Sequence, residues 1–265
     1  MTDVPVAMEL ESDERVRITR LSKVYPGTGS DGSDRIAVRN VSFSASRGEV
    51  VGILGLNGAG KTTVLRILAT LLTPTAGKAS ICGRDTVREP LEVRRRLGFV
   101  SAGTSGYDRM TAREMILFFG RLHAIAEQKL RDRLEELSER LRITPFLDRF
   151  VAGLSTGMRQ KVSVARALIH DPPVLIFDEA TSGLDVPAAG ELRRMVRELR
   201  DAGRCILWST HTMSEVGKLC DRVVVLKEGR LLRTSTVDEL RAEADGMDPD
   251  DFFERLLVCD EPVVT

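Results

Sequence analysis

Residues 49–63 read Glu49-Val-Val-Gly-Ile-Leu-Gly55-Leu-Asn-Gly-Ala-Gly-Lys61-Thr-Thr63. An apolar run opens the segment, a glycine-rich turn follows, and apolar residues then recur at helical spacing over residues 61–72, with Val64, Leu65, Leu68 and Leu71 on one side. Gly55 to Thr62 fits GxxxxGK[ST] in the strand-turn-helix context that the pattern requires. Glycines let the chain curl so that successive N–H groups point inward, and a helix N-terminus adds positive potential, which together make an anion cradle. Lys61 then reaches the β and γ phosphates of a nucleoside triphosphate, and the Thr62 hydroxyl can ligate Mg²⁺. Gly55, Leu56, Asn57, Gly58, Ala59, Gly60, Lys61, Thr62 and Thr63 form the candidate phosphate-binding set. A dinucleotide-binding GxGxxG reading fails, because Thr63 stands where the last glycine belongs.

Composition bounds the rest. The chain has 265 residues, 42% of them hydrophobic, enough for one large domain or a core with an inserted subdomain. Lys+Arg and Asp+Glu are equal at 39 each, and that balance argues against a nucleic-acid partner. Arg94-Arg95-Arg96 reads as a solvated helix face. The four cysteines lack CxxC spacing, so neither a zinc site nor a redox dithiol is expected, and their thiols should be buried in a reducing compartment. No run approaches the roughly 20 apolar residues that cross a bilayer, so any membrane role must come through a partner.

Strands are expected over residues 16–21, 38–44, 49–54, 174–177, 205–208 and 223–226, with a turn at Glu228-Gly229. Helices are expected over 61–72, 111–125 (opened by the capping box Thr111-Ala-Arg-Glu114), 127–141, 155–170 and 188–202. Strands alternating with helices indicate a mostly parallel sheet with helices on both faces. Residues 26–34 read as a loop, and the tail from 236 as charged helix.

Residues 174–179 are an apolar strand ending in Asp178-Glu179. At a strand end such acids emerge where ligands bind in open α/β sheets. Asp178 can hold Mg²⁺ through water, and Glu179 can orient or deprotonate an attacking water. An ordinary strand-to-loop boundary would look the same, but the phosphate cradle in the same chain tips the balance. His211 follows another apolar run and can donate to a γ-phosphate.

Leu154-Ser155-Thr156-Gly157-Met158-Arg159-Gln160, upstream of the two acids, resembles the signature sequence of ABC ATPases. Ser182-Gly-Leu-Asp185 resembles their D-loop, His211 their switch histidine, and Tyr25 the aromatic that stacks on adenine. The resemblance spans roughly residues 15–235. It implies an α/β P-loop NTPase of RecA-like type, with a mostly parallel sheet, an antiparallel β edge and an inserted α-helical subdomain. It further implies head-to-tail pairing of two chains, each ATP lying between one chain's P-loop and the partner's Ser155 and Gly157, with Asp185 beside it. Glu179, His211 and Lys61 are then the catalytic candidates, Thr62 and Asp178 the metal ligands, and ATP and Mg²⁺ the cofactors. The implied partners are an integral membrane permease and a second ATPase subunit, either a second copy or a relative. The implied location is cytoplasmic, on the inner face of the membrane through the permease.

The sequence departs from the family in places. Ala102 stands near the usual Q-loop glutamine, Thr156 at the second signature position, Met158 for the usual Gln and Ala180 for the common Pro. The stretch Ser-Gly-Tyr107-Asp-Arg-Met-Thr111-Ala-Arg-Glu114 is similar to ATP-binding subunits of sodium-exporter type. The expected organisation is a flexible tail (1–13), an ATPase domain (14–235, with the helical subdomain at about 101–170) and a C-terminal helical extension (236–265). Two other classes compete with a transporter ATPase. A soluble ABC ATPase of translation or DNA maintenance usually carries two cassettes or a long coiled-coil insert. A low-turnover regulatory module would not need Lys61, Asp178, Glu179 and His211 together.

Overall fold

The computed structural model describes residues 13–28, 32–101 and 107–258. Most of the expected N-terminal tail and Ala102, the residue at the glutamine position, lie outside the described residues. In chain order the elements are β1 (Glu14–Tyr25), β2 (Arg35–Ser46), β3 (Val50–Leu54), α1 (Lys61–Leu68), β4 (Ala76–Ile81) and β5 (Arg84–Asp85). Next come α2 (Pro90–Arg95), β6 (Leu97–Ser101), α3 (Ala112–Leu122), α4 (Glu127–Arg140), α5 (Thr156–Leu168) and β7 (Val174–Asp178). The chain continues with α6 (Val186–Asp201), β8 (Cys205–Thr210), α7 (Met213–Leu219), β9 (Arg222–Lys227), β10 (Arg230–Thr236), α8 (Val237–Ala244) and α9 (Pro249–Val258).

Six strands form the central sheet in the order β10-β9-β3-β8-β7-β6. β9, β3, β8, β7 and β6 run parallel, and β10 pairs antiparallel with β9 at one edge. Parallel strands covered on both sides read as continuous apolar runs, as β3 and β7 do. Their alternating side chains enter two separate cores. Leu175 and Phe177 pack among the helices α3 to α9, whereas Val174 and Ile176 pack with α1 and the β1–β2 hairpin. Helices therefore do not clothe both faces alike. One face carries α1 and a second, antiparallel sheet of order β2-β1-β4-β5. The short apolar runs at 16–21 and 38–44 are the cores of two 12-residue strands whose inward side chains need that face.

Helix ends are set by local chemistry. Thr111 and Glu114 form the expected capping box on α3. α1 stops at Leu68, earlier than its periodicity suggests, where Thr70 adopts a left-handed φ of 60°. Asp185 accepts the Ala188 N–H and starts α6 at Val186. No helix among the described residues is long and apolar enough to cross a membrane. Cys205 and Cys220 are buried, and burial pushes both thiols up, away from thiolate reactivity.

Candidate functional site

The C-terminal ends of β3, β8 and β7 meet at one edge of the sheet, in register through Leu54 with Thr210 and Asp178 with Ser209. Between β3 and α1 the loop turns through Gly58 (φ 83°) and Gly60 (φ 101°). At Gly60 a Cβ would lie 2.5 Å from the Ala37 carbonyl oxygen, so both the backbone angle and the space demand glycine. The Gly229 N–H donates to the Ala59 carbonyl (3.1 Å), and the Arg39 N–H donates to Gly229 (2.7 Å), which fixes the loop to the turn behind it. Gly60 has no side chain to cap α1, so the helix presents bare N–H donors to the cleft.

Lys61 is only 4% exposed, and its Nζ donates to the carbonyls of Gly55 (2.7 Å) and Leu56 (3.2 Å). The same nitrogen lies 3.5 Å from Glu179 Oε1. Thr62 Oγ1 donates to Asp178 Oδ1 at 3.3 Å, and Ser209 Oγ donates to the same oxygen at 2.7 Å. Asp178 is 7% exposed, so these donors offset its burial. Glu179 follows directly in a left-handed conformation (φ 49°), an uncommon backbone for a non-glycine residue and one often found at active sites. His211 Nδ1 is 3.9 Å from Glu179 Oε1 on a half-exposed ring.

Lys61, Thr62 and Glu179 border an open cleft lined also by residues 57–60 and 63 of the loop, Tyr25 and Ala37, whereas Asp178 stands behind Thr62 and neither it nor His211 is in the lining. Tyr25 stands at the rim, directly opposite Arg35 across the β1–β2 pairing, with Lys23 Nζ 5.2 Å from its ring centroid. Arg35, Arg66 and Thr28 also line the cleft, and sequence reasoning missed all three. Arg66 lies one turn after Thr62, a spacing that could have flagged it; Arg35 becomes visible only through the strand pairing. The cleft thus combines bare amides and three cations with the Glu179 carboxylate, and Asp178 bonded to Thr62 behind it, an arrangement suited to a polyphosphate with a bound hard cation.

Ser155, Gly157 and Asp185 do not line this cleft. Ser155 caps α5, accepting the Met158 N–H at 3.3 Å, and lies exposed. A Cβ at Gly157 would lie 3.6 Å from Ala188, and one at Gly183 3.9 Å from the Thr156 methyl. The Ser155 turn and the 182–185 loop therefore pack against each other on a face of their own. A third carboxylate escaped sequence reading altogether. Glu215 on α7 is 16% exposed and accepts from Thr181 Oγ1 (2.6 Å) and Trp208 Nε1 (3.4 Å), with Arg193 at 3.9 Å. It joins the loop after Glu179, β8 and the helix after His211.

The family model described as "ABC transporter" matches residues 38–182. The ABC transporter ATP-binding protein NatA of Bacillus subtilis is 46% identical over 205 residues, 77% of this chain and 83% of that protein. The Nod factor export ATP-binding protein I of Burkholderia lata is 39% identical over 197 residues, 74% of this chain and 65% of that protein. Among solved structures, the dimeric ATP-binding cassette MJ0796, in a post-hydrolysis state with ADP and Pi, superposes with a TM-score of 0.76. It is 27% identical, and the match covers 84% of this chain and 98% of that one.

Proposed function

The chain belongs to the ABC transporter ATP-binding proteins, and from that premise we propose that it is the ATP-hydrolysing subunit of an exporter. In this reading a second ATPase chain closes on it over ATP, and an integral membrane permease converts closure into translocation. The observation that carries the proposal is the convergence of Lys61, Thr62 and Glu179 on one cleft, with Lys61 Nζ 3.5 Å from Glu179 and Thr62 bonded to Asp178 at 3.3 Å.

The roles follow from the chemistry. The triphosphate lies along residues 55–63, and Lys61 exchanges its carbonyl partners for β and γ oxygens. Tyr25 stacks on the base. Thr62 and Asp178 offer a hydroxyl and a carboxylate oxygen at the cleft edge, a hard pair that fits Mg²⁺. When bound, that ion neutralises charge on the β and γ phosphates. Glu179 orients the attacking water and takes its proton, while His211 donates to the γ-phosphate. Ser155 and Gly157 lie away from their own chain's cleft, which supports their acting on the partner's ATP, with Asp185 beside them. A two-fold pair then contains two such sites.

A docking face for the permease is supported by charge and exposure. Leu71, Leu91 and Leu122 stand exposed around an open cleft whose cations include Arg94, Arg95 and Arg166. An amphipathic cytoplasmic segment with apolar side chains and carboxylates complements that surface. It would hold the chain on the inner face of the membrane. The domain plan proposed is an ATPase unit over 14–235, its helical part at about 101–170, and the extension from 236.

Glu179→Gln tests the core of this reading. The variant is expected to bind ATP, to turn over at least about 100-fold more slowly, and to accumulate as an ATP-bound dimer on size-exclusion chromatography. Hydrolysis at the normal rate would remove Glu179 as the base.

A further inference from the structure

Residues 237–258, helical as expected, pack onto the ATPase domain. Phe252 and Phe253 on α9 are buried in the helix-side core. At the start of α9, Asp248 Oδ1 accepts the Asp250 N–H at 2.9 Å. Asp250 Oδ1 in turn accepts the backbone N–H of Met213 at 3.0 Å. Met213 is the first residue of α7, and Thr212 at its N-cap position makes no side-chain cap bond. Asp250 therefore satisfies a helix-start donor from 37 residues away, in a place where the local sequence leaves that donor unpaired. At the far end of α9, Lys227 Nζ donates to the Leu257 carbonyl at 2.6 Å. Lys227 ends β9, just before the turn whose Gly229 N–H holds Ala59 of the phosphate loop. The helix thus bridges the segment after His211 and the support of the loop before Lys61.

We propose that Asp250 is a positioning residue for His211, so that α9 forms part of the hydrolytic unit. The proposal rests on the ATP-hydrolysis reading above. α7 is only 7 residues long, too short to hold its first turn by its own hydrogen bonds. A carboxylate at its N-terminus supplies both a charge-assisted bond and a favourable charge-dipole contact. His211 is 52% exposed, so little packing fixes the ring. Its distance from Glu179 depends on where the chain enters α7, and Asp250 pins that entry.

The test is a mutant cycle on the full chain, reading steady-state ATPase activity, nucleotide affinity and melting temperature. Asp250→Ala should lower kcat about ten-fold with nucleotide affinity unchanged. Asp250→Asn, whose amide oxygen can accept the same bond, should recover most of the rate. Combining Asp250→Ala with His211→Ala should be no slower than His211→Ala alone, since both changes remove one function; a purely structural role would slow both backgrounds alike. If the alanine variant does not fold, Asp250→Gln, whose longer side chain displaces the acceptor, takes its place in the cycle. An unchanged kcat, or effects that multiply in the double variant, would overturn the proposal. A full-rate His211→Ala would also end it, but by removing the role of His211 in the hydrolytic reading.

Discussion

Ser209 holds Asp178 from the neighbouring strand: its hydroxyl donates to Asp178 Oδ1 at 2.7 Å while accepting the N–H of Glu179 at 3.0 Å. One side chain on β8 thereby anchors both acids at the end of β7. Ser209→Ala leaves a buried carboxylate short of a donor and a peptide N–H unpaired. A cost of about 1–3 kcal/mol in stability is expected, with ATPase activity falling about ten-fold or more. Thermal melts and a steady-state ATPase assay read the two effects; a variant with both values at wild-type level would mean the acids need no such anchor.

Lys61→Ala removes the cation nearest the cleft floor. Nucleotide affinity is expected to fall by about ten-fold or more, the loss of one charge-assisted contact to phosphate. Isothermal titration with ATP and with ADP checks this. Equal binding by both proteins would detach Lys61 from the phosphates.

Thr181 and Glu215 form a second tie, 2.6 Å long, between the loop that follows the acids and the helix that follows His211. Thr181→Val and Glu215→Ala should each lower kcat while leaving nucleotide affinity near normal. Their effects should be less than additive by about 0.5–3 kcal/mol, as for residues in one hydrogen-bond network. Strict additivity would make the contact incidental.

Acidification should weaken the fold at His170. Its ring stacks on His123 at a centroid distance of 3.7 Å, and its Nε2 pairs with the Leu97 carbonyl at 3.1 Å. Burial, with a smaller contribution from His123, lowers its pKa from the ordinary 6.5 to about 4, although the bond to the Leu97 carbonyl and, less, neighbouring Asp171 oppose the shift. Because the unfolded chain binds the proton first, the neutral ring's contribution is complete above pH 6.5. It is lost as the pH falls from there to about 4, for a total of up to about 3 kcal/mol. Burial, with Arg95 nearby, lowers His123 as well, so its protonation also disfavours the fold as the pH falls below 6.5. Melting temperatures at pH 7.5 and 5 should fall less for His170→Gln than for the wild type; equal falls would place the pH sensitivity elsewhere.

The phosphate loop and the two acids were legible because each is a contiguous run whose local geometry dictates its chemistry. A glycine run between an apolar strand and a helix leaves few alternatives, and so does an apolar strand closing on two carboxylates. Arg35, Glu215 and Asp250 were not legible because their meaning depends on pairings across the fold. Arg35 matters only as the cross-strand neighbour of Tyr25, and Asp250 only once α9 packs on α7. β4 was missed for another reason: Ala-Gly-Lys-Ala-Ser-Ile has few β-branched residues, and it takes its form from β1. The helices α3, α4, α5 and α6 followed their apolar periodicity and caps, with errors confined to the ends.

The chain contains a single tryptophan, and it is Trp208, fully buried beside Phe177 with its indole N–H directed at Glu215. Intrinsic fluorescence excited at the indole therefore comes from one spot, next to the strand end where the acids sit. A shielded indole emits toward the blue, and withdrawal of the carboxylate or entry of water would shift its colour and brightness. The protein carries its own optical gauge of what happens when nucleotide arrives, with no dye attached.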